Sequence, residues 1–258
     1  MDWQDGNESY DGTPDLGEYE GERHPTTRAR HGKGRATLPH NDGSGLFDVY
    51  EGEYYEGERH GRGQYTYANG ARYEGEYVKG RKHGEGTFFY PDGAVYVGEW
   101  ENDAREGRGK YTYPNGDSYE GQWRQGLRWG AGVYTYGDSG SRYEGQWVRG
   151  ARDGAGQWIH PGAKYNYTGS WVADKPTAVG KFTFDHGAVV HGRYTSVVAE
   201  TYSEESASVV PEPTLQWTAE TFDVVPPPAT ATGMTAEEIQ AANAEAEAAV
   251  RAEALAAQ

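Results

Sequence analysis

Residues 96–116 read Tyr96-Val97-Gly98-Glu99-Trp100-Glu101-Asn102-Asp103-Ala104-Arg105-Glu106-Gly107-Arg108-Gly109-Lys110-Tyr111-Thr112-Tyr113-Pro114-Asn115-Gly116. Strand periodicity puts Tyr96, Gly98 and Trp100 on one face of a first strand, and Gly109, Tyr111 and Tyr113 on one face of a second. Glu99, Lys110 and Thr112 then face the other way. Pro114-Asn115-Gly116 is a tight-turn signal, and so are Ala68-Asn69-Gly70 and Pro91-Asp92-Gly93 at the same phase. The stretch therefore encodes a β-hairpin with an aromatic face and a polar face.

The same unit recurs along the chain. Tyr-x-Gly appears at Tyr19, at Tyr50 and Gly52, Tyr73 and Gly75, Tyr96 and Gly98, Tyr119 and Gly121, Tyr143 and Gly145, and Tyr167 and Gly169, in steps of 31, 23, 23, 23, 24 and 24. A Gly-x-Gly follows in phase at Gly32/Gly34, Gly61/Gly63, Gly84/Gly86, Gly107/Gly109, Gly130/Gly132 and Gly154/Gly156, and Gly180 continues it with one glycine lost. One such hairpin cannot bury its aromatic face alone, but stacked hairpins can lay the rings of one rung over the glycines of the next. The predicted fold is all-β: an elongated single-layer antiparallel sheet of stacked hairpins, with an acidic C-terminal tail ending in a helix.

Tyr-Glu-Gly-Glu-Tyr/Trp, then Gly-x-Gly, then Tyr-x-Tyr-x-Asn/Asp-Gly resembles the MORN (membrane occupation and recognition nexus) repeat over residues 17–194. About seven units are in phase, with a degenerate eighth at His191-Gly-Arg-Tyr194. The stretches Gly17-Glu-Tyr-Glu-Gly-Glu-Arg-His24, His31-Gly-Lys-Gly34, His60-Gly-Arg-Gly63, Asn69-Gly-Ala-Arg-Tyr-Glu-Gly-Glu-Tyr77 and Lys82-His-Gly-Glu-Gly-Thr-Phe88 are similar to the MORN-repeat subunits of the radial spoke head of motile cilia. That resemblance implies a non-catalytic axonemal scaffold with a cytoplasmic pool before assembly; the repeat family's alternative role is a peripheral membrane or phosphoinositide-associated adaptor. It would bind other spoke-head subunits and contact the central-pair projections transiently. Two units depart from the pattern. The first carries the insertion His40–Asp48 and has Ala36 and Leu38 for the second-strand aromatics, and the seventh has Lys175-Pro176-Thr177 where the others have a His-Gly-like turn.

Composition agrees with strands and tight turns. Hydrophobic residues are 35%, against a usual value of about 45–50%, and mean hydropathy is −0.93; yet the chain holds 21 Tyr, 8 Trp, 6 Phe and 38 Gly. Disorder would carry few aromatics. The net charge of −16 argues against nucleic acid and against an anionic membrane as partners. With no cysteine, no disulfide and no thiolate site can form. Met1–Tyr10 is polar and acidic, so no signal peptide is predicted, and no apolar run approaches the roughly 18 residues of a membrane span. The expected organisation is a disordered stretch at 1–16, the hairpin array at 17–199, a Pro/Ser/acidic linker at 200–233 and an Ala/Glu-rich helix at 234–258. Thr235-Ala-Glu-Glu238 would cap that helix.

Several residue sets mimic reactive sites. Glu51/Glu53 and Glu74/Glu76 share a strand face at about 7 Å, but such pairs recur on rung after rung and read as a solvated face. His31, His60 and His83 share one phase, yet equivalent positions on successive hairpins lie about 10 Å apart, too far for one zinc. The Gly-x-Gly pairs lack the helix and lysine of a phosphate loop and read as turn glycines. The sequence thus predicts no catalytic residue, no cofactor and no metal. The aromatic face remains, with Trp100, Trp123, Trp147 and Trp171 at one position in successive rungs. A single layer has nothing to cover it, so these tryptophans are the expected protein-binding surface, closed by a homodimer or a docked partner helix.

Overall fold

The computed structural model describes residues 17–39, 45–162, 165–185, 187–197 and 214–223. All of the regular structure among them is β, in two compact units divided after Asp138. The first unit holds β1 (Tyr19–Arg23), β2 (Arg30–Pro39), β3 (Phe47–Tyr55), β4 (Glu58–Thr66) and β5 (Arg72–Val78). It continues with β6 (Arg81–Phe89), β7 (Val95–Glu101), β8 (Ala104–Thr112), β9 (Ser118–Arg124) and β10 (Leu127–Thr135). The second holds β11 (Arg142–Val148), β12 (Ala151–Ile159), β13 (Tyr165–Val172), β14 (Lys175–Phe184), β15 (Val189–Val197) and β16 (Thr214–Asp223). Within each unit every strand pairs antiparallel with its neighbours in chain order. The expected N-terminal disorder and C-terminal helix fall outside the described residues.

Register is set by glycine. Gly75 faces Gly86, Gly86 faces Gly98, Gly98 faces Gly109 and Gly109 faces Gly121, so one glycine row crosses the strands of the first unit. Gly145, Gly156, Gly169, Gly180 and Gly192 form such a row in the second. Burial alternates beside it: in β7, Tyr96, Gly98 and Trp100 are buried while Val97, Glu99 and Glu101 are exposed.

Turns come in two kinds. Between repeats, the Gly93 amide donates to the Tyr90 carbonyl at 3.0 Å and Gly93 takes φ +92°, a left-handed conformation that favours glycine. Within each repeat, a two-residue turn carries positive φ at both positions, as at Asn102 (50°) and Asp103 (70°), or Lys79 (50°) and Gly80 (79°). These are type I′ turns, whose twist suits an antiparallel pair.

Two expectations are corrected here. The His-Gly dipeptides are not turns. They belong to a bulge in the second strand of each hairpin, where the register shifts between Gly98 and Trp100 and Gly107 takes φ +64°. The expected linker at 200–233 contains a strand: β16 pairs with β15 from Val189↔Asp223 to Val197↔Thr214. Leu215, Trp217 and Ala219 alternate with polar residues, a strand signal that the Pro/Ser-rich flanks obscure.

Candidate interaction surfaces

Each repeat closes its own aromatic face. The Tyr96 ring is wholly buried, and a Cβ built on Gly109 would stand 2.5 Å from its Cζ. The ring thus occupies the space two paired glycines of its own rung leave open, not that of the next rung. Its hydroxyl donates to the Glu99 carbonyl at 3.0 Å. Tyr50, Tyr73 and Tyr119 repeat the arrangement, at 3.0, 3.1 and 2.9 Å to Glu53, Glu76 and Gln122. Burial, which disfavours the phenolate, raises all four hydroxyl pKa values and pushes Tyr143 up to about 12. None of these phenols is set up to serve as a base at neutral pH.

The four tryptophans are not a surface. Trp100, Trp123, Trp147 and Trp171 are only 2–5% exposed, which corrects the expectation that they bind a partner. Trp100 meets Tyr96 and the preceding rung's Tyr73 edge-to-face at 5.2 and 5.3 Å, and its Nε1 donates to the Gly86 carbonyl at 3.2 Å. Trp123 repeats this with Tyr119, Tyr96 and the Gly109 carbonyl.

A row of cations covers the rings, and sequence reasoning missed it. The Arg105 guanidinium lies 5.8, 5.3 and 4.6 Å from the ring centres of Tyr96, Tyr111 and Trp123, and donates to the Gly126 carbonyl in the next rung's turn at 2.8 Å. Arg59 covers Tyr50, Tyr65 and Tyr77 and donates to Gly80 O. Lys82, 6% exposed, covers Tyr73, Phe88 and Trp100 and donates to Tyr67 Oη at 3.1 Å. Arg128 and Arg152 take the same place in their rungs. The signal was legible, because an Arg or Lys stands two residues before the first glycine of all six Gly-x-Gly pairs.

The opposite face is polar and solvated. Glu51, Glu53 and Glu74 are exposed and Glu76 is half-buried, in ordinary strand alternation. The ion pairs there (Arg62–Glu76 at 3.5 Å, Arg72–Glu74 at 3.2 Å, Lys110–Glu120 at 3.7 Å) are too exposed to contribute more than about 1 kcal/mol each. An open depression of about 540 Å³ lies between Arg62, Glu74, Glu85, Thr87 and Val97. His31 lies edge-on to His24 and tilted against Tyr55, and Tyr55 is tilted against His60. Among the described residues no group of three His, Asp or Glu is placed to hold a metal, and no helix is long and apolar enough to cross a membrane.

This geometry defines a class: a repeat protein of hairpin rungs about 23 residues apart, closed by tyrosine over glycine, with Arg59, Arg105 and Arg152 each bonded to the turn of the following rung. The MORN repeat is found at residues 50–72, 73–95, 96–118, 119–141, 143–161 and 167–189, and the chain belongs to the MORN-repeat family. No curated protein matches the chain. MORN repeats serve protein interaction or membrane association, and proteins built from them are in general structural or adaptor proteins rather than enzymes.

Proposed function

We propose that this protein is a non-catalytic scaffold of the axonemal radial spoke head, resembling component 1 of that assembly or its flagellar paralogue, component 10. It binds neighbouring spoke-head subunits and supports a transient contact with the central-pair apparatus. One observation carries the scaffold reading: tyrosines, tryptophans and cations are consumed inside the rungs, leaving outward positions at fixed spacing and free to vary. The exposed middle residue of each Gly-x-Gly illustrates this, running Lys33, Arg62, Glu85, Arg108, Ala131, Ala155. The axonemal reading rests on the motif stretches of the first three units. An acidic chain of net charge −16 suits contacts that must part during beating, because like-charged or weakly paired surfaces keep affinity low.

Tagged expression in a ciliated cell, followed by salt extraction of axonemes and mass spectrometry, tests this. Spoke-head subunits recovered in stoichiometric amounts are the expected result. Recovery only in the soluble or membrane fraction would overturn the axonemal assignment. Flotation with anionic liposomes addresses the family's other role, and the net charge predicts no recruitment.

A further inference from the structure

The seventh rung lacks its cation. Pro176 faces Trp171 in the register where Arg105 faces Trp100, so no basic side chain reaches the rings of Tyr167, Phe182 and Tyr194 from that position. An indole stands there instead. Trp217 of β16, 3% exposed, lies 5.9 Å from Tyr167, 5.0 Å from Phe182 and 5.1 Å from Tyr194. These rings correspond to the three that Arg105 covers: the rung's own tyrosine, its second-strand aromatic and the next rung's last aromatic. Trp217 makes a second substitution as well. Val190 occupies the tyrosine position of the eighth rung, and the Trp217 ring fills the space over Gly192.

The fit is incomplete in its polar groups. Elsewhere the rung tyrosine donates to the carbonyl three residues on. In the seventh rung the Thr177 hydroxyl holds the Ser170 carbonyl at 3.1 Å, and Tyr167 Oη and Trp217 Nε1 are both buried without a hydrogen-bond partner. Such groups cost free energy that a better occupant would recover. A guanidinium or ammonium would donate to Tyr167 Oη and engage the three rings, while release of the indole would return its N–H to water. Among the described residues β16 pairs with β15 alone, so its departure breaks no other strand pairing there.

We propose that the last rung is a docking slot for a β-strand of a partner polypeptide carrying an arginine or lysine, and that Thr214–Asp223 is the occupant the chain supplies for itself. The partner strand pairs with β15 in place of β16 and sets its cation over Tyr167, Phe182 and Tyr194. The net charge of −16 draws a basic partner toward the chain. The slot belongs to the ladder whichever assembly the protein serves.

Two labelled decapeptides test it, one copying Thr214–Asp223 with arginine in place of Trp217, the other with alanine there. Against the full-length Trp217→Ala protein, fluorescence anisotropy should show the arginine peptide binding at least tenfold tighter than the alanine peptide. Adding Pro176→Arg, which returns a cation to the slot from within, should abolish that preference. The unsubstituted protein provides an independent arm: the arginine peptide, and not the alanine one, should speed hydrogen exchange of the Thr214–Asp223 amides as its concentration rises. Equal binding of the two peptides, or unchanged exchange at saturating arginine peptide, overturns the proposal.

Discussion

Gly86→Ala should be among the most damaging single substitutions in the first unit. A Cβ at Gly86 would sit 2.6 Å from Cε2 and Cζ of Tyr73, and closer still to its hydroxyl. That ring cannot step aside, because it is wholly buried and held edge-to-face between Tyr77 at 5.2 Å and Trp100 at 5.3 Å. Overpacking of this kind costs about 1–3 kcal/mol. Displacing the ring also weakens the hydroxyl bond to the Glu76 carbonyl, about 1 kcal/mol, and two aromatic pairs at about 0.5–1.5 kcal/mol each. Together these give a loss of about 3–7 kcal/mol. Gly93→Ala is the control. Its Cβ meets nothing within 4 Å, so it suffers only the strain of φ +92°, about 1–2 kcal/mol. Urea unfolding followed by tryptophan fluorescence gives both numbers, and hydrogen exchange should place the Gly86→Ala damage in β5–β8, since stacked repeats couple mainly to neighbours. In a Tyr73→Ala background, Gly86→Ala should cost at least about 2 kcal/mol less than in the unsubstituted protein. Equal costs for Gly86→Ala and Gly93→Ala, or strict additivity with Tyr73→Ala, would refute the ring-over-glycine account.

Arg105→Met should lose about 2 kcal/mol by removing the cation from three rings and the donor from the Gly126 carbonyl, whereas Arg105→Lys should lose less than half of that, as Lys82 fills the same place; denaturation midpoints decide. Asp117 is buried. Desolvation pushes its pKa up, but hydrogen bonds from the Tyr134 hydroxyl at 2.6 Å, the Gly137 amide at 2.8 Å and Asn115 outweigh it, and the net direction is down. Its folded pKa lies below its unfolded one, so its stabilisation is present above about pH 4 and is lost as pH falls through the folded value; Asp117→Asn should flatten the acid limb of a stability–pH curve. Burial also lowers the His160 pKa, while Ser141 Oγ lies 3.1 Å from its Nδ1. The unfolded chain then takes up the proton first, so stability should fall as pH drops below about 6.5, and His160→Gln should remove that dependence.

Much of the fold was legible because it is written in glycine. The 23-residue phase, the alternation of Tyr96, Gly98 and Trp100, and the Pro-Asn-Gly turns each carry a local physical signal, and they agree. What escaped the sequence depended on knowing where the bulge falls. Reading His83-Gly84 as a turn hid the true turn at Lys79-Gly80. It also concealed that Lys82 faces Tyr77 across the hairpin, over the aromatic side. Without that cation row, a single layer leaves its tryptophans bare, so strand periodicity alone points Trp100 to a partner and not to Tyr73, Tyr96 and Lys82. Strand β16 was missed for a different reason. Its pairing with β15 is separated in sequence by residues 198–213, and its stretch carries no repeat signature.

Internal repetition also says where recognition can reside. Tyr50, Tyr73, Tyr96 and Tyr119 do one job in four rungs, so none of them can distinguish one rung from another. Identity lies in outward positions. In β4, β6 and β8 these include Arg62, Glu85 and Arg108, all charged; in β12 and β14 the matching Ala155 and Val179 carry no charge. Uncharged outward residues are cheaper to desolvate than charged ones, whereas charged rows set register and salt dependence more than affinity. Contacts on the outward face of β12 and β14 should therefore survive high salt and those on β4, β6 and β8 should not, which makes stepwise salt release of bound subunits a way to assign partners to rungs. Salt release in the reverse order would place the tight contacts on the charged rows and overturn this division.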